Sequence, residues 1–273
     1  MTPYRIISLY SGSTGNAVLI TTQTTRVLID AGKSAKALTT ALGAVGVRVE
    51  DLDAIFITHD HRDHTAALPV LLKRHPLPVH AVSASAQVLC SDMEEGARSC
   101  VCCHPPLYCE QVGDIRISSF ITPHDSRFSV GYRLEIEAQD GVHTVGYATD
   151  IGYVTEDIRR ALYGCESVVL ESNHDREMLL TGPYPRQLKE RIFSRYGHLA
   201  NDDSAAFAAE LAEHGLKHLL LAHLSEQNND PALAYEEFVM ALGGEDRVRI
   251  AVAAPDRPVE LPLADACEED FVC

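Results

Sequence analysis

Between Thr58 and His64 the chain reads THDHRDH, which brings His59, His61, Asp63 and His64 within six positions. Imidazole nitrogens and carboxylate oxygens are the usual ligands of Zn²⁺ and Mn²⁺. The turn follows directly on the apolar run Ala54-Ile55-Phe56-Ile57. A buried strand ending in a sharp turn would aim several of these groups at one point, so the segment reads as half of a metal site. A plain polar surface turn is the competing reading. Four ligand residues in so few positions behind an apolar strand argue against it.

Four ligands seldom suffice for hydrolysis by two metals, so the rest must come from other strand ends. Three residues have that position. His124 follows Ile121-Thr122-Pro123, Asp150 ends Val145-Gly146-Tyr147-Ala148-Thr149, and His223 ends Leu219-Leu220-Leu221-Ala222. Asp30 ends Arg26-Val27-Leu28-Ile29 in the same way, and is placed to orient a ligand histidine through its distal N–H. The loop Ser11-Gly12-Ser13-Thr14-Gly15-Asn16 is either a bare strand turn or a device that sets Ser13 and Asn16 against the substrate or the metal rim. His75, His80, His104, His143, His214 and His218 lack ligand neighbours in sequence and read as structural or exposed.

The elements that must position these groups can be read from apolar patterning. Strands are expected at 4–9, 16–21, 26–30, 53–58, 114–122, 129–137, 142–149, 167–171, 217–222 and 247–253. Asp140-Gly141 is a hairpin signal between two of them. Helices are expected at 34–42 with Ser34 as cap, 64–74, 156–163, 185–196, 201–214 and 231–242. Asn201, Asp202 or Asp203 is available to cap the fifth. Strand runs in the first half and mixed elements in the second imply an α/β (α+β) architecture, two sheets packed face to face with helices outside. A single domain over 1–264, with an acidic frayed tail at 265–273, fits the length.

Composition limits the partners. The chain has 273 residues, is 46% hydrophobic and carries a formal charge of −16. Two divalent cations, adding four charges, would leave it at −12, so any polyanion must be engaged locally rather than by a general basic field. Arg176, Lys189, Arg191 and Arg195 are the residues that could supply such a patch; a solvated helix face is the alternative. Trp is absent and aromatics are 6%, which disfavours a long stacking platform for single strands. No apolar run is long enough to span a bilayer, and the N-terminus lacks a signal pattern, so a cytoplasmic protein is expected. Eight cysteines, with Cys100, Cys102, Cys103 and Cys109 clustered near His104, fit reduced thiols better than a structural zinc, because they do not form spaced C-x-x-C knuckles.

With these residues in view, the chain resembles the metallo-β-lactamase-fold hydrolases, whose signature H-x-H-x-D-H is matched by His59-x-His61-x-Asp63-His64. Its likeness is to the YycJ/WalJ group, carried by Ser11–Asn16, Thr149-Asp150, Glu171-Ser172-Asn173-His174-Asp175, Gly197-His198-Leu199 and His223-Leu224-Ser225. The resemblance implies a four-layer αββα sandwich of two mixed sheets. It implies two divalent ions, Zn²⁺ or Mn²⁺, one on His59, His61 and His124, the other on Asp63, His64 and His223, with Asp150 bridging. It further implies a phosphodiesterase that attacks with a metal-bridging hydroxide, acting on DNA as a 5′-to-3′ exonuclease. Asp63, His198 and His174 are the catalytic candidates, with His198 assisting the leaving group. Hydrolysis of a small thioester, lactone or β-lactam by the same ion pair is the first alternative, since fold alone does not set substrate. A binding or regulatory protein with a degenerate site is the second.

Overall fold

Alternating side chains divide each strand between two cores in the computed structural model, which describes residues 3–244 and 247–263. The first sheet opens with β1 (Arg5–Tyr10), β2 (Ala17–Thr21) and β3 (Arg26–Ile29), which are antiparallel neighbours. Ile6, Val18, Ile20, Val27 and Ile29 face the space between the sheets, while Ile7, Leu9, Leu19 and Leu28 face outward. Strand side chains alternate sides with a period of two, so one apolar run feeds two cores.

Outside this sheet lie α1 (Ala35–Ala44), β4 (Ala54–Phe56) being the next strand, then α2 (Arg62–Thr65) and α3 (Leu68–Arg74). Ser34 caps α1 by accepting from the Ala37 amide. The single helix expected over 64–74 is two, because Pro69 lies in the first turn of α3. Proline has no N–H to donate there and its fixed φ suits a helix start. Leu68, Leu71 and Leu72 pack with Leu38 and Leu42 in the outer core. The chain continues through β5 (Val79–Val82), α4 (Ser83–Ser91), α5 (Glu95–Arg98) and β6 (Val101–His104). From β3 to β6 the strands are parallel.

The second sheet begins at its edge with β7 (Cys109–Val112), β8 (Ile115–Ile121), β9 (Val130–Ala138) and β10 (Gly141–Ala148), all antiparallel, the last two closing the expected Asp140-Gly141 hairpin. After α6 (Glu156–Leu162) comes β11 (Ser167–Glu171), then α7 (Arg176–Thr181), α8 (Arg186–Ile192), α9 (Asn201–Glu213), β12 (His218–Ala222), α10 (Pro231–Leu242) and β13 (Arg249–Val252). Strands β10 to β13 are parallel. A short β14 (Val259–Glu260) returns to pair with β1. Ala200, not one of the three expected residues, occupies the cap position of α9. Asn201 is held inward by Ser172 and Asn229, so its side chain is not free to cap.

The sheets run β14-β1-β2-β3-β4-β5-β6 and β13-β12-β11-β10-β9-β8-β7. Between them lies a core in which Ile6, Ile20 and Phe56 share space with Tyr132, Leu134, Tyr147 and Leu220. Helices α6, α9 and α10 cover the far face of the second sheet through Ile158, Leu162, Phe207, Leu211, Phe238 and Leu242. The result is the expected helix–sheet–sheet–helix sandwich. The tail at 265–273, with Cys267 and Cys273, lies outside the described residues.

Candidate metal centre

Strands β3, β4, β10, β11 and β12 all end at one rim, the position at which parallel sheets commonly hold ligands. Asp30, Asp150 and His223 each follow the last residue or two of a strand, and each has a left-handed backbone, with φ of 62°, 56° and 58°. Such a conformation costs a non-glycine residue about 1–3 kcal/mol and persists only where neighbours fix it. Here it turns three side chains back over the rim.

The seven expected ligands come together. One donor atom from each of His59, His61 and His124 lies within 4.8 Å of the others, and Asp63, His64 and His223 form a second such set. Asp150 joins both neighbourhoods: its Oδ2 is 3.2 Å from His64 Nε2, and its Oδ1 is 3.4 Å from His223 Nε2 and 3.7 Å from His124 Nε2. His61 Nδ1 faces His124 Nε2 at 3.3 Å. Asp63 Oδ2 stands 3.3 Å from His64 Nε2 and 3.6 Å from His223 Nε2.

Groups behind these fix the rings. Asp30 Oδ2 pairs with His64 Nδ1 at 2.8 Å, as expected for a residue that orients a ligand, and accepts from the Thr58 hydroxyl. Asn16 is buried and places its side-chain amide 3.1 Å from His64 Nε2 and 3.4 Å from Asp63 Oδ2. Ser13, on the same loop, is exposed. Its neighbour Ser11 is the residue that reaches the rim, its Oγ accepting from the His223 amide at 2.7 Å. Sequence reasoning placed Ser11 and Glu171 in stretches that carry the resemblance but gave neither a role in the site. The Glu171 carboxylate is fully buried, 2.7 Å from His198 Nδ1 and 3.3 Å from His223 Nδ1, and accepts from the Ile151 amide at 2.7 Å.

His198 is partly exposed and stacks on His223 at 5.1 Å. His174, by contrast, is 1% exposed and packed edge-on against Phe193. Burial pushes it down to about 4, so it is neutral. A sealed, neutral ring suits support of the site better than contact with a phosphate. Among the expected basic residues, Arg176 is met by Asp202 and Asp203, Arg191 by Asp125, and Arg195 lies over the Tyr153 ring.

The electrostatics demand positive charge. Burial alone would keep His223 neutral, but Asp150, Asp63 and Glu171 outweigh it and raise it to about 10. His64 is raised against its burial by Asp150, Asp30 and Asp63. Asp150 is held low despite complete burial by His223 and His64. His59 Nε2, His223 Nε2 and Asp150 Oδ2 are buried without a hydrogen bond of proper geometry. Each such atom costs about 1–3 kcal/mol if nothing satisfies it. Three orphaned donor atoms converging from different strands, in a set of imidazoles and carboxylates, fit divalent ions.

The beta-lactamase superfamily domain model matches residues 25–224. The chain is 34% identical over 230 residues to exodeoxyribonuclease YycJ of Bacillus anthracis, covering 83% of this chain and 84% of that one. It is 33% identical over 240 residues to exodeoxyribonuclease WalJ of Streptococcus pneumoniae, covering 87% and 88%. Its fold is similar to that of the metallo-beta-lactamase fold protein YhfI of Bacillus subtilis, with a TM-score of 0.73, 20% identity, and coverage of 95% and 100%. The chain therefore belongs to the metallo-β-lactamase superfamily, within its YycJ/WalJ-like group, and is a metal-dependent hydrolase.

Proposed function

We propose that the chain is a dinuclear-metal phosphodiesterase that degrades DNA from the 5′ end. The observation that carries this reading is the pair of three-residue donor sets with Asp150 close to members of both, joined to the exodeoxyribonuclease activity named for two relatives. His59, His61 and His124 would hold one ion, Asp63, His64 and His223 the other, and Asp150 both. When bound, the ions lower the pKa of water toward neutrality and draw charge from phosphoryl oxygens.

The chain's own residues do the rest. Asp30 holds His64 through Nδ1 and leaves Nε2 to face an ion, and Ser11 holds the backbone of His223. Asp63 sits between His64 and His223, fixing a negative oxygen at the reacting face. A departing 3′-alkoxide needs a proton. His198 is the group to give it, because Glu171 engages Nδ1 and leaves Nε2 for the substrate. His174 is assigned a supporting place beside Asn173.

The test is a 5′-labelled DNA duplex incubated with Mn²⁺, run beside a thioester and a lactone panel. Labelled nucleotides should appear first, and the small esters should persist. His61→Ala and Asp150→Asn should each lose more than the roughly 10–100-fold that follows removal of a group behind a ligand. Cleavage confined to the esters, or near-normal rates in either variant, would overturn the proposal.

A further inference from the structure

A second cluster of ligand-type side chains lies where the edge strands β6 and β7 of the two sheets meet, sharing no residue with the first. His80 on β5 and His104 on β6 come from neighbouring parallel strands of one sheet. Glu110 comes from β7, the edge strand of the other sheet. The chain crosses between the sheets from β6 to β7, so His104 and Glu110 stand on either side of that crossover.

His80 Nδ1 lies 2.9 Å from His104 Nε2, and one donor atom from each of the three residues lies within 4.8 Å of the others. The rings are not free to wander. Phe56 stacks on His80 and His104 on Tyr108, with centroids 4.5 and 4.2 Å apart, while the two imidazoles meet edge to edge with planes within 17°. Tyr108 is pinned in turn by its hydroxyl contact to Tyr132 at 3.0 Å. His80 is 8% exposed, while the Glu110 side chain is 37% exposed, so the cluster opens to solvent on one side.

A hydrogen-bonded chain from Glu110 through His104 to His80 explains only part of this. The Glu110 oxygen is 3.5 Å from His104 Nδ1, too long for a good hydrogen bond. Two imidazoles and one carboxylate with an open side match a known three-residue zinc set whose remaining position is water. The nitrogen donors favour Zn²⁺ over Mg²⁺ or Ca²⁺. The clustered cysteines are not needed: the six described ones are free, and among the described residues the groups with metal-ligand spacing contain none of them.

We propose that His80, His104 and Glu110 form an additional Zn²⁺ site, with three protein ligands and an open fourth position, that clips the edge of one sheet to the edge of the other. The inference is independent of the substrate assigned above. The full chain, stripped with chelator, is re-equilibrated with ZnCl₂, desalted and analysed for zinc. Glu110→Gln, nearly isosteric and at a partly exposed position, and His104→Ala should each hold one zinc per chain fewer than wild type, with far-UV circular dichroism and duplex hydrolysis unchanged. Zinc content equal to wild type in either variant would overturn the site.

Discussion

At the scale of the residue, Glu171 ties together several groups of the centre from outside the ligand set. One of its oxygens serves His198 and His223, the other the amides of Ile151 and Leu199. Replacing it with Gln keeps the shape but sets an N–H₂ group against ring nitrogens that need an acceptor. Glu171→Gln is expected to lower kcat by about 10–100-fold, with KM little changed, measured on a labelled duplex; an unchanged kcat would remove Glu171 from the positioning of His198. The candidate ligands in Thr58–His64 were legible because they are close together in sequence. Asp150 and His223 were legible because they end apolar strands. Glu171 ends a strand too, but a lone carboxylate in a buried strand carries no sign of which histidines it will meet, and His198 is 27 positions away. Ser11 was hidden in the same way, its partner lying across the fold.

At the scale of the element, the rim depends on how closely backbone segments approach. Gly32 follows the left-handed Asp30, and its amide donates to Asn16 O at 2.9 Å. A Cβ at this position would lie 1.9 Å from Asp63 O and 2.5 Å from the Asn16 amide, both backbone atoms. Neither can move without displacing the turn that carries His61, Asp63 and His64. Gly32→Ala is therefore expected to destabilise the protein by about 1–3 kcal/mol, as overpacking does, and to lower bound metal, read by thermal melting and elemental analysis. Wild-type metal content with a normal melting temperature would show that the turn is not held by this contact. Most strands and helices were readable from alternation and caps, α10 to its ends. The segment from β5 to β7 was not: its strands are four residues long, and β6 and β7 are only partly buried. Short edge strands need little apolar patterning, so the second histidine cluster stayed invisible until the sheets were laid out.

At the scale of the whole molecule, the centre is a junction between two sheets. The first sheet contributes the turn after β4 and Asp30; the second contributes His124, Asp150 and His223. Neither half holds both donor sets. The expected partition of charge follows the same logic: a chain at −16 repels a polyanion broadly, and the arginines near the mouth are largely paired with carboxylates. On the proposed function, attraction for a phosphodiester would be concentrated at the rim where the two donor sets meet. Ions that bind only the folded chain stabilise it by mass action, about 2.7 kcal/mol at a hundredfold excess over Kd. For a chain of this size that corresponds to roughly 5–10 °C in Tm. Chelation should lower Tm by that amount while far-UV circular dichroism holds, because the three apolar cores do not include the ligands. A Tm indifferent to chelator would mean that the two sheets are joined at this rim without any help from metal.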